Sequence, residues 1–247
     1  MQLYSFFKST ASFRVRIVLA LKGIDYRTES INLLDGDGAN HDAAFVAINP
    51  QRRLPVLVTE HGDRLTQSIA ICEYLEERYP APPLLPPTPE RRAHVRALMA
   101  IAACDTHPLH TTRVTRHLAR EFGADEAGQK AWTRHWLHAG LVALDQMIGR
   151  AGRAGIYCDG EQPSLADAFL VPQFASALAH GVDTGSLRFV PRIARACLNH
   201  PAFQAALPQR QPDAGPDMAL ARQTPVPHSS SVAASGPASD PASAAQR

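Results

Sequence analysis

The chain has 247 residues, of which 45% are hydrophobic and 19% charged, enough apolar material for a real core and too much for a disordered chain. Twenty-five Lys and Arg stand against 23 Asp and Glu, so a formal net charge of +2 gives no general pull toward nucleic acid or an anionic membrane surface. Cys72, Cys104, Cys158 and Cys197 are far apart and lack the paired spacing of zinc ligands, which argues against a structural disulfide framework and a cysteine-built metal site. Arg14 and Arg16 interrupt the first apolar run, unlike a secretory leader, and no stretch approaches a membrane span. The expectation is a cytoplasmic protein with no nucleic-acid or membrane partner.

In chain order, residues 2–6 read as a strand, and Phe13, Ile17, Ala20 and Leu21 recur at helical spacing before Gly23 stops the helix. Residues 26–32 read as a second strand, 42–47 as a short helix, 54–58 as a strand, 64–66 as another after the His61-Gly62-Asp63 turn, and 68–78 as a helix. This β-α-β-α-β-β-α string predicts a mixed sheet with one parallel crossover and helices on its faces. Six prolines within residues 80–89 exclude regular structure there and read as a linker. Beyond it, residues 91–120, 127–148, 165–179 and 192–198 carry apolar residues at three-to-four spacing, a helical bundle. Ser164 and Asp167 have the spacing of a helix capping box, with Asp in place of the usual Glu. Ala, Ser and Pro dominate the end of the chain, which reads as an unfolded tail. The expected division is 1–80, an α/β domain; 81–89, the linker; 90–213, an all-α domain; and 214–247, the tail.

Lys8-Ser9-Thr10-Ala11-Ser12 joins the first strand to the first helix. Unpaired amides and a positive dipole end there favour a thiolate or another anion, although simple capping by Ser9 or Ser12 explains the spacing as well. Leu54-Pro55 opens the third strand; a cis bond would turn the Leu54 amide and carbonyl toward a peptide-like ligand, whereas a trans proline is harmless at a strand's first residue. Gln67-Ser68 opens the third helix, another place for a carboxylate or for plain capping. Polar residues from Cys104 to Arg113 interrupt an otherwise apolar helix face, and Pro108 is expected to bend that helix. His107 with His110, and His135 with His138, have a spacing that could share a metal, but no third ligand accompanies either pair. Trp132 and Trp136 read as core packing. Motifs of hydrolases, zincins, P-loop proteins and dinucleotide-binding proteins are absent.

The order of these features resembles that of glutathione transferases. The runs LYSFFKSTASFRVRIVLALKGIDY, AINPQRRLPVL, QSIAICEYLEERYP, CDTHPLHTTRV, FGADEA and SLADAFLVPQ resemble more narrowly the zeta class, the maleylacetoacetate and maleylpyruvate isomerases, over residues 1–213. The resemblance implies a thioredoxin-like α/β domain followed by an all-helical domain, glutathione as cofactor, a small dicarboxylate substrate, no metal, and a homodimer. Ser9 and Thr10 are implied as catalytic, in a turn that holds the glutathione sulfur and includes Ala11, Ser12, Phe13 and Arg14. Asn40 is implied near the glycine end of glutathione, Leu54 as its backbone partner, and Gln67 with Ser68 as the γ-glutamyl clamp. His107, Thr111, Thr112 and Arg113 are implied to close the site, with Lys8 and Arg113 holding substrate carboxylates. Three departures stand out: the family's cysteine is Ala11, its arginine before the Ser pair is Lys8, and an arginine of the later helix falls on Ala179. Carboxylate binding then rests on Lys8, Arg113 or a displaced group such as His180. The implied activity is glutathione-dependent cis–trans isomerisation in the breakdown of tyrosine or other aromatic compounds; the alternatives are a transferase conjugating glutathione to small electrophiles and a non-enzymatic interaction protein.

Overall fold

The computed structural model describes residues 1–34 and 38–215. Its sheet has four strands in the order β2-β1-β3-β4, comprising β1 (Gln2–Ser5), β2 (Arg27–Ser30), β3 (Val56–Val58) and β4 (Arg64–Thr66). β1 runs parallel to β2 and antiparallel to β3, and β3 is antiparallel to β4. The parallel pair needs a crossover, which α1 (Thr10–Leu21) supplies, as the sequence pattern predicts. Leu3 pairs with Leu57, and both are fully buried beneath the helices. The third strand begins two residues later than expected, leaving Leu54 and Pro55 in the loop before it.

α1 is buried continuously from Ser12 to Leu19, so it runs through the interior. It ends as Gly23 implies. That glycine has φ +63°, its amide donates to Ala20 O, and the Ile24 amide donates to Leu19 O, closing the last turn with paired carbonyls. A short helix α2 (Ala43–Val46) and α3 (Ser68–Arg78) complete the α/β part.

The proline-rich segment is anchored at both ends of its path. Lys22 Nζ lies 2.7 Å from Glu76 and donates to Tyr79 O and Pro82 O, while the Glu76 carboxylate accepts from the Leu84 and Leu85 amides. Leu84 and Leu85 are buried, and Leu84 O accepts from the Leu165 amide. Helix α4 (Pro89–Ala100) starts on the last proline, where a missing amide costs nothing.

The helix expected over 91–120 is three elements and a π segment. After α4 come a π-helical stretch, Ile101–Thr106, a 3₁₀ turn, His107–His110, and then α5 (Thr112–Phe122). Pro108 sits in the first turn of the 3₁₀ segment and ends the preceding helix instead of bending it, because it lacks an amide and restricts the residue before it. α6 (Glu126–Ala151), α7 (Leu165–Ala179) and α8 (Val190–Leu198) follow the predicted runs. At the start of α7 the Asp167 carboxylate accepts from both Ser164 N and Ser164 Oγ, forming the expected capping box. A further short helix, α9 (Pro201–Ala205), was not legible in the periodicity.

One apolar cluster joins the sheet and α1 to α4, α6, α7 and α8, with α1 packed directly on α7. Past α9, the Asp213 carboxylate accepts from the Phe7 amide and Ala214 is buried against Phe6 and Phe7. Ala214 therefore belongs to the fold and not to the tail expected from 214; residues 216–247 lie outside the described residues. No helix among the described residues is long and apolar enough to cross a membrane.

Candidate active site

The turn between β1 and α1 presents two kinds of donor. Ser9 is the N-cap of α1, and its Oγ accepts from the Ser12 amide at 3.2 Å, so capping is one of its functions. Acceptance leaves the Ser9 hydroxyl proton available to an outside partner. Thr10 and Ala11 occupy the first turn, where backbone amides have no partner inside the helix. Lys8 is exposed, with Nζ 5.3 Å above the Phe7 ring. Ser12 and Phe13 point inward: the Ser12 hydroxyl is buried without a partner, and Phe13 belongs to the core with Arg16 over its ring. These two do not line the surface formed by Ser9 and Thr10.

A second helix start lies beside the first. Gln67 precedes α3 with φ +69°, a left-handed conformation that is costly for a non-glycine residue and is found where the surrounding structure holds it for function. Its Nε2 donates to Gln51 Oε1 at 2.8 Å. Ser68, the first residue of α3, is buried. The loop leading to β3 is shaped by buried Asn49, which donates to Arg53 O and accepts from the Gln51 amide. Asn40 Nδ2 donates to Arg52 O, bringing the 3₁₀ turn Ala39–His41 to the same loop. The Leu54–Pro55 peptide is cis.

Arg14 connects these parts to the helical wall. Fully buried, it donates to Ser68 Oγ and to Ala102 O, both at 3.3 Å, and its guanidinium stacks 5.1 Å over the Phe169 ring of α7. Burial lowers its pKa to about 10, with the nearby Cys72 and Cys104 acting in the other direction, so it remains cationic at neutral pH. Its Nε has no partner.

The wall itself is rich in imidazole, with arginines beside it. His107 is held neutral by burial, then by Arg14, His110 and Arg53. Burial and then His180 and Arg14 push His110 down to about 4. Arg53, half-buried, is also shifted down, first by burial and then by Arg113, which places these two arginines near each other. Thr111 occupies the N-cap position of α5, but its hydroxyl donates backward to Pro108 O and makes no cap bond; Thr112 and Arg113 follow in the exposed first turn. Trp132 Nε1 donates to Leu109 O, so α6 fixes the 3₁₀ turn from behind. Ala179 is the exposed last residue of α7, and His180 follows as its C-cap.

Ser9, Thr10, Ser68, Arg14 and His107 are thus tied into one region by Arg14 and its neighbours. No interaction ties Lys8 or Asn40 directly to Arg14. Arg14's role as hub, Arg53, Gln51 and Gln173 were missed from sequence as parts of this region, whereas His110 lies in the polar segment 104–113 that the sequence already singles out. The two arginines inside the apolar run SFRVRIVLAL were a usable signal, since a cation in a fully buried helix demands polar partners.

The donor set fits a peptide-like anion: free helix-start amides and hydroxyls at Ser9–Thr10, and a buried hydroxyl and helix start at Ser68 with the Arg14 guanidinium bonded to it. Residues 9–78 match the family model "Glutathione S-transferase, N-terminal domain". A maleylacetoacetate isomerase from Pseudomonas aeruginosa is 46% identical over 213 residues, covering 86% of this chain and 98% of its own length. Two solved structures align with TM-scores of 0.83, each covering 87% of this chain and all of the other. One, at 40% identity, is a holo maleylpyruvate isomerase described as a bacterial zeta-class glutathione S-transferase. The other, at 38%, is a maleylacetoacetate isomerase from Methylobacterium extorquens with bound malonate and glutathione. With the fold and nearly the full length of these relatives in agreement, this chain belongs to the glutathione transferase family, in its zeta class of maleylacetoacetate and maleylpyruvate isomerases.

Proposed function

We propose that this protein catalyses the glutathione-dependent cis–trans isomerisation of maleylacetoacetate to fumarylacetoacetate, or of maleylpyruvate to fumarylpyruvate, in the breakdown of tyrosine or related aromatic compounds. The observation that carries this reading is the free first turn of α1 at Ser9 and Thr10, on the same helix as Arg14, which bonds Ser68 and the π segment and shares the region of His107 with the cation Arg53, itself near Arg113. When bound, glutathione supplies a thiolate that adds reversibly to the cis double bond, so that rotation takes place about a single bond.

The chain's own part is binding and electrostatics. The Thr10 and Ala11 amides with the Ser9 and Thr10 hydroxyls stabilise sulfur as an anion at the positive end of α1. The α3 start at Gln67 and Ser68 receives the γ-glutamyl carboxylate, and the Leu54 backbone pairs with the tripeptide as an added strand would. Asn40 serves its glycine end, and His107, Thr111, Thr112 and Arg113 close over it. Lys8 and Arg113 hold substrate carboxylates and offset the enolate charge that develops on thiolate addition. In this reading residues 1–80 bind glutathione, 90–213 shape the substrate cleft, and the protein works as a cytoplasmic homodimer.

The test is an ultraviolet assay with maleylacetone or maleylpyruvate in the presence and absence of glutathione. Loss of the cis isomer only with glutathione, and with glutathione recovered unchanged, is the expected result. Product that retains glutathione would make the protein a conjugating transferase, and no glutathione-dependent change would remove the enzymatic reading.

A further inference from the structure

The loop that leaves β1 and enters α1 is held by groups from both ends of the chain. Arg16, in the second turn of α1 and almost fully buried, folds back on it: Nη1 donates to Ser5 Oγ and Phe6 O, Nη2 donates to Phe7 O, and Nε donates to Ala206 O just past α9. Phe6 O also accepts from the Ser9 amide at 2.9 Å, the bond that closes the turn before the helix. The Phe7 amide, two residues ahead of Ser9, is taken at 2.9 Å by the Asp213 carboxylate, 206 residues away in the chain. Both polar backbone groups of Phe7 are therefore held by side chains, one from α1 and one from beyond α9.

The segment that brings Asp213 there is itself fixed. Gln211 is buried and donates through Nε2 to Ala205 O and Leu207 O, and its carbonyl accepts from the Ala214 amide. Ala214 packs on Phe6 and Phe7 in a small apolar cluster apart from the main core, with Leu33 and Leu54 against it. Residues 211–214 thus meet both the entry to α1 and the cluster containing Leu54, the residue read as pairing with the tripeptide backbone. The charged group acting with Asp213 here is Arg16. Burial lowers the Arg16 pKa to about 10, while Tyr26, just ahead of β2, and Asp213 act in the other direction, so the guanidinium stays cationic. A carboxylate this close to Ser9 opposes an anionic sulfur by charge alone. What it supplies instead is a charge-assisted bond to a backbone amide, among the stronger holds available to a loop.

We propose that Asp213 is a positioning residue for the glutathione sulfur. By holding the Phe7 amide it fixes the entry of α1, and with it the Ser9 hydroxyl and the Thr10 and Ala11 amides, in the direction that stabilises a thiolate. The inference rests on the reading of that helix start as the sulfur site, and it adds that the site is completed by a residue from beyond the last helix. Position and charge act with opposite signs here, which makes the role measurable. Loss of an anion lowers the pH at which a nearby thiol ionises, whereas a helix start released from its hold raises it.

The test is a pH titration of the ultraviolet thiolate absorbance of glutathione bound to the full-length protein, for the wild type and three variants. Asp213→Ala removes the acceptor, Asp213→Ser leaves a hydroxyl too short to reach the Phe7 amide, and Asp213→Asn keeps an oxygen within reach while removing the charge. Asp213→Ala and Asp213→Ser are expected to raise the ionisation of bound glutathione by about half a pH unit and to lower kcat on the acid side about threefold. Asp213→Asn is expected to show no upward shift. A residue that only secures the chain's end would lower Tm in Asp213→Ala without moving the titration upward. If Asp213→Ala fails to fold, Asp213→Ser and Asp213→Asn, both polar and neutral, still separate reach from charge. Asp213→Ala and Asp213→Ser titrating at or below the wild type, or Asp213→Asn shifted upward as far as Asp213→Ser, would overturn the positioning role. The underlying readings fail separately. Wild-type protein whose bound glutathione titrates like the free tripeptide removes the sulfur site and the positioning role with it, whereas a protein without isomerase turnover whose bound glutathione ionises low, and higher in Asp213→Ser, keeps both.

Discussion

A guanidinium taken out of water carries a penalty of several kcal/mol unless its donors find acceptors. Arg14 meets that demand with one hydroxyl and one carbonyl, leaving Nε bare, and so its charge is only partly satisfied inside the protein. Residual positive charge at that point is useful for a site that handles anions. Ser9 and Thr10 divide the remaining work differently. Ser9→Ala removes a helix cap and should cost about 1 kcal/mol of stability as well as activity. Thr10→Val leaves the cap intact and should lower kcat/KM about a hundredfold with little change in Tm. Thermal denaturation beside steady-state kinetics checks the split; full turnover in Thr10→Val would take its hydroxyl out of the chemistry. The Ser9 cap was open to a reader of the sequence, as was the anion-binding potential of the turn. The inward fate of Ser12 and the reach of Arg14 to Ser68 were not, because they depend on α3 and α7 packing against α1 from distant parts of the chain.

At the scale of elements, the same limit applies. Strand β4 and helices α3 and α7 have the bounds their periodicity and caps predict, since local patterns decide them. Residues 101–110 do not, because a π segment and a 3₁₀ turn keep apolar spacing loosely helical while changing the backbone. What holds that departure is tertiary: α6 passes close enough that a β-carbon on Gly140 would collide with the Thr106 side chain, and Trp132 ties down Leu109. Gly140→Ala should therefore destabilise the protein by about 1–3 kcal/mol. It should also raise KM for the dicarboxylate, since the displaced segment carries His107 and His110. Denaturant unfolding and substrate titration check this; a variant with wild-type stability and KM would show that the close approach is not needed.

For the molecule as a whole, the sequence divides at the prolines while the packing does not. A single apolar cluster runs from the sheet through α1 into α7, and the Lys22–Glu76 pair holds the proline segment against it through the Leu84 and Leu85 amides. The first turn of α1, the first turn of α3 and the imidazole wall are consequently fixed relative to one another by a shared core, which is what a reaction between a bound thiol and a bound dicarboxylate requires. Composition showed a balanced overall charge and gave no hint of this local excess of cations, which arises only when α1, the loop before β3 and α5 converge. The most direct measurement is a pH titration of the ultraviolet thiolate absorbance of glutathione bound to the wild type and to Thr10→Val. Sulfur ionised well below the pH at which the free thiol ionises, and shifted back upward in the variant, is the result expected of a helix start that stabilises the anion; bound glutathione that titrates like the free tripeptide would contradict it.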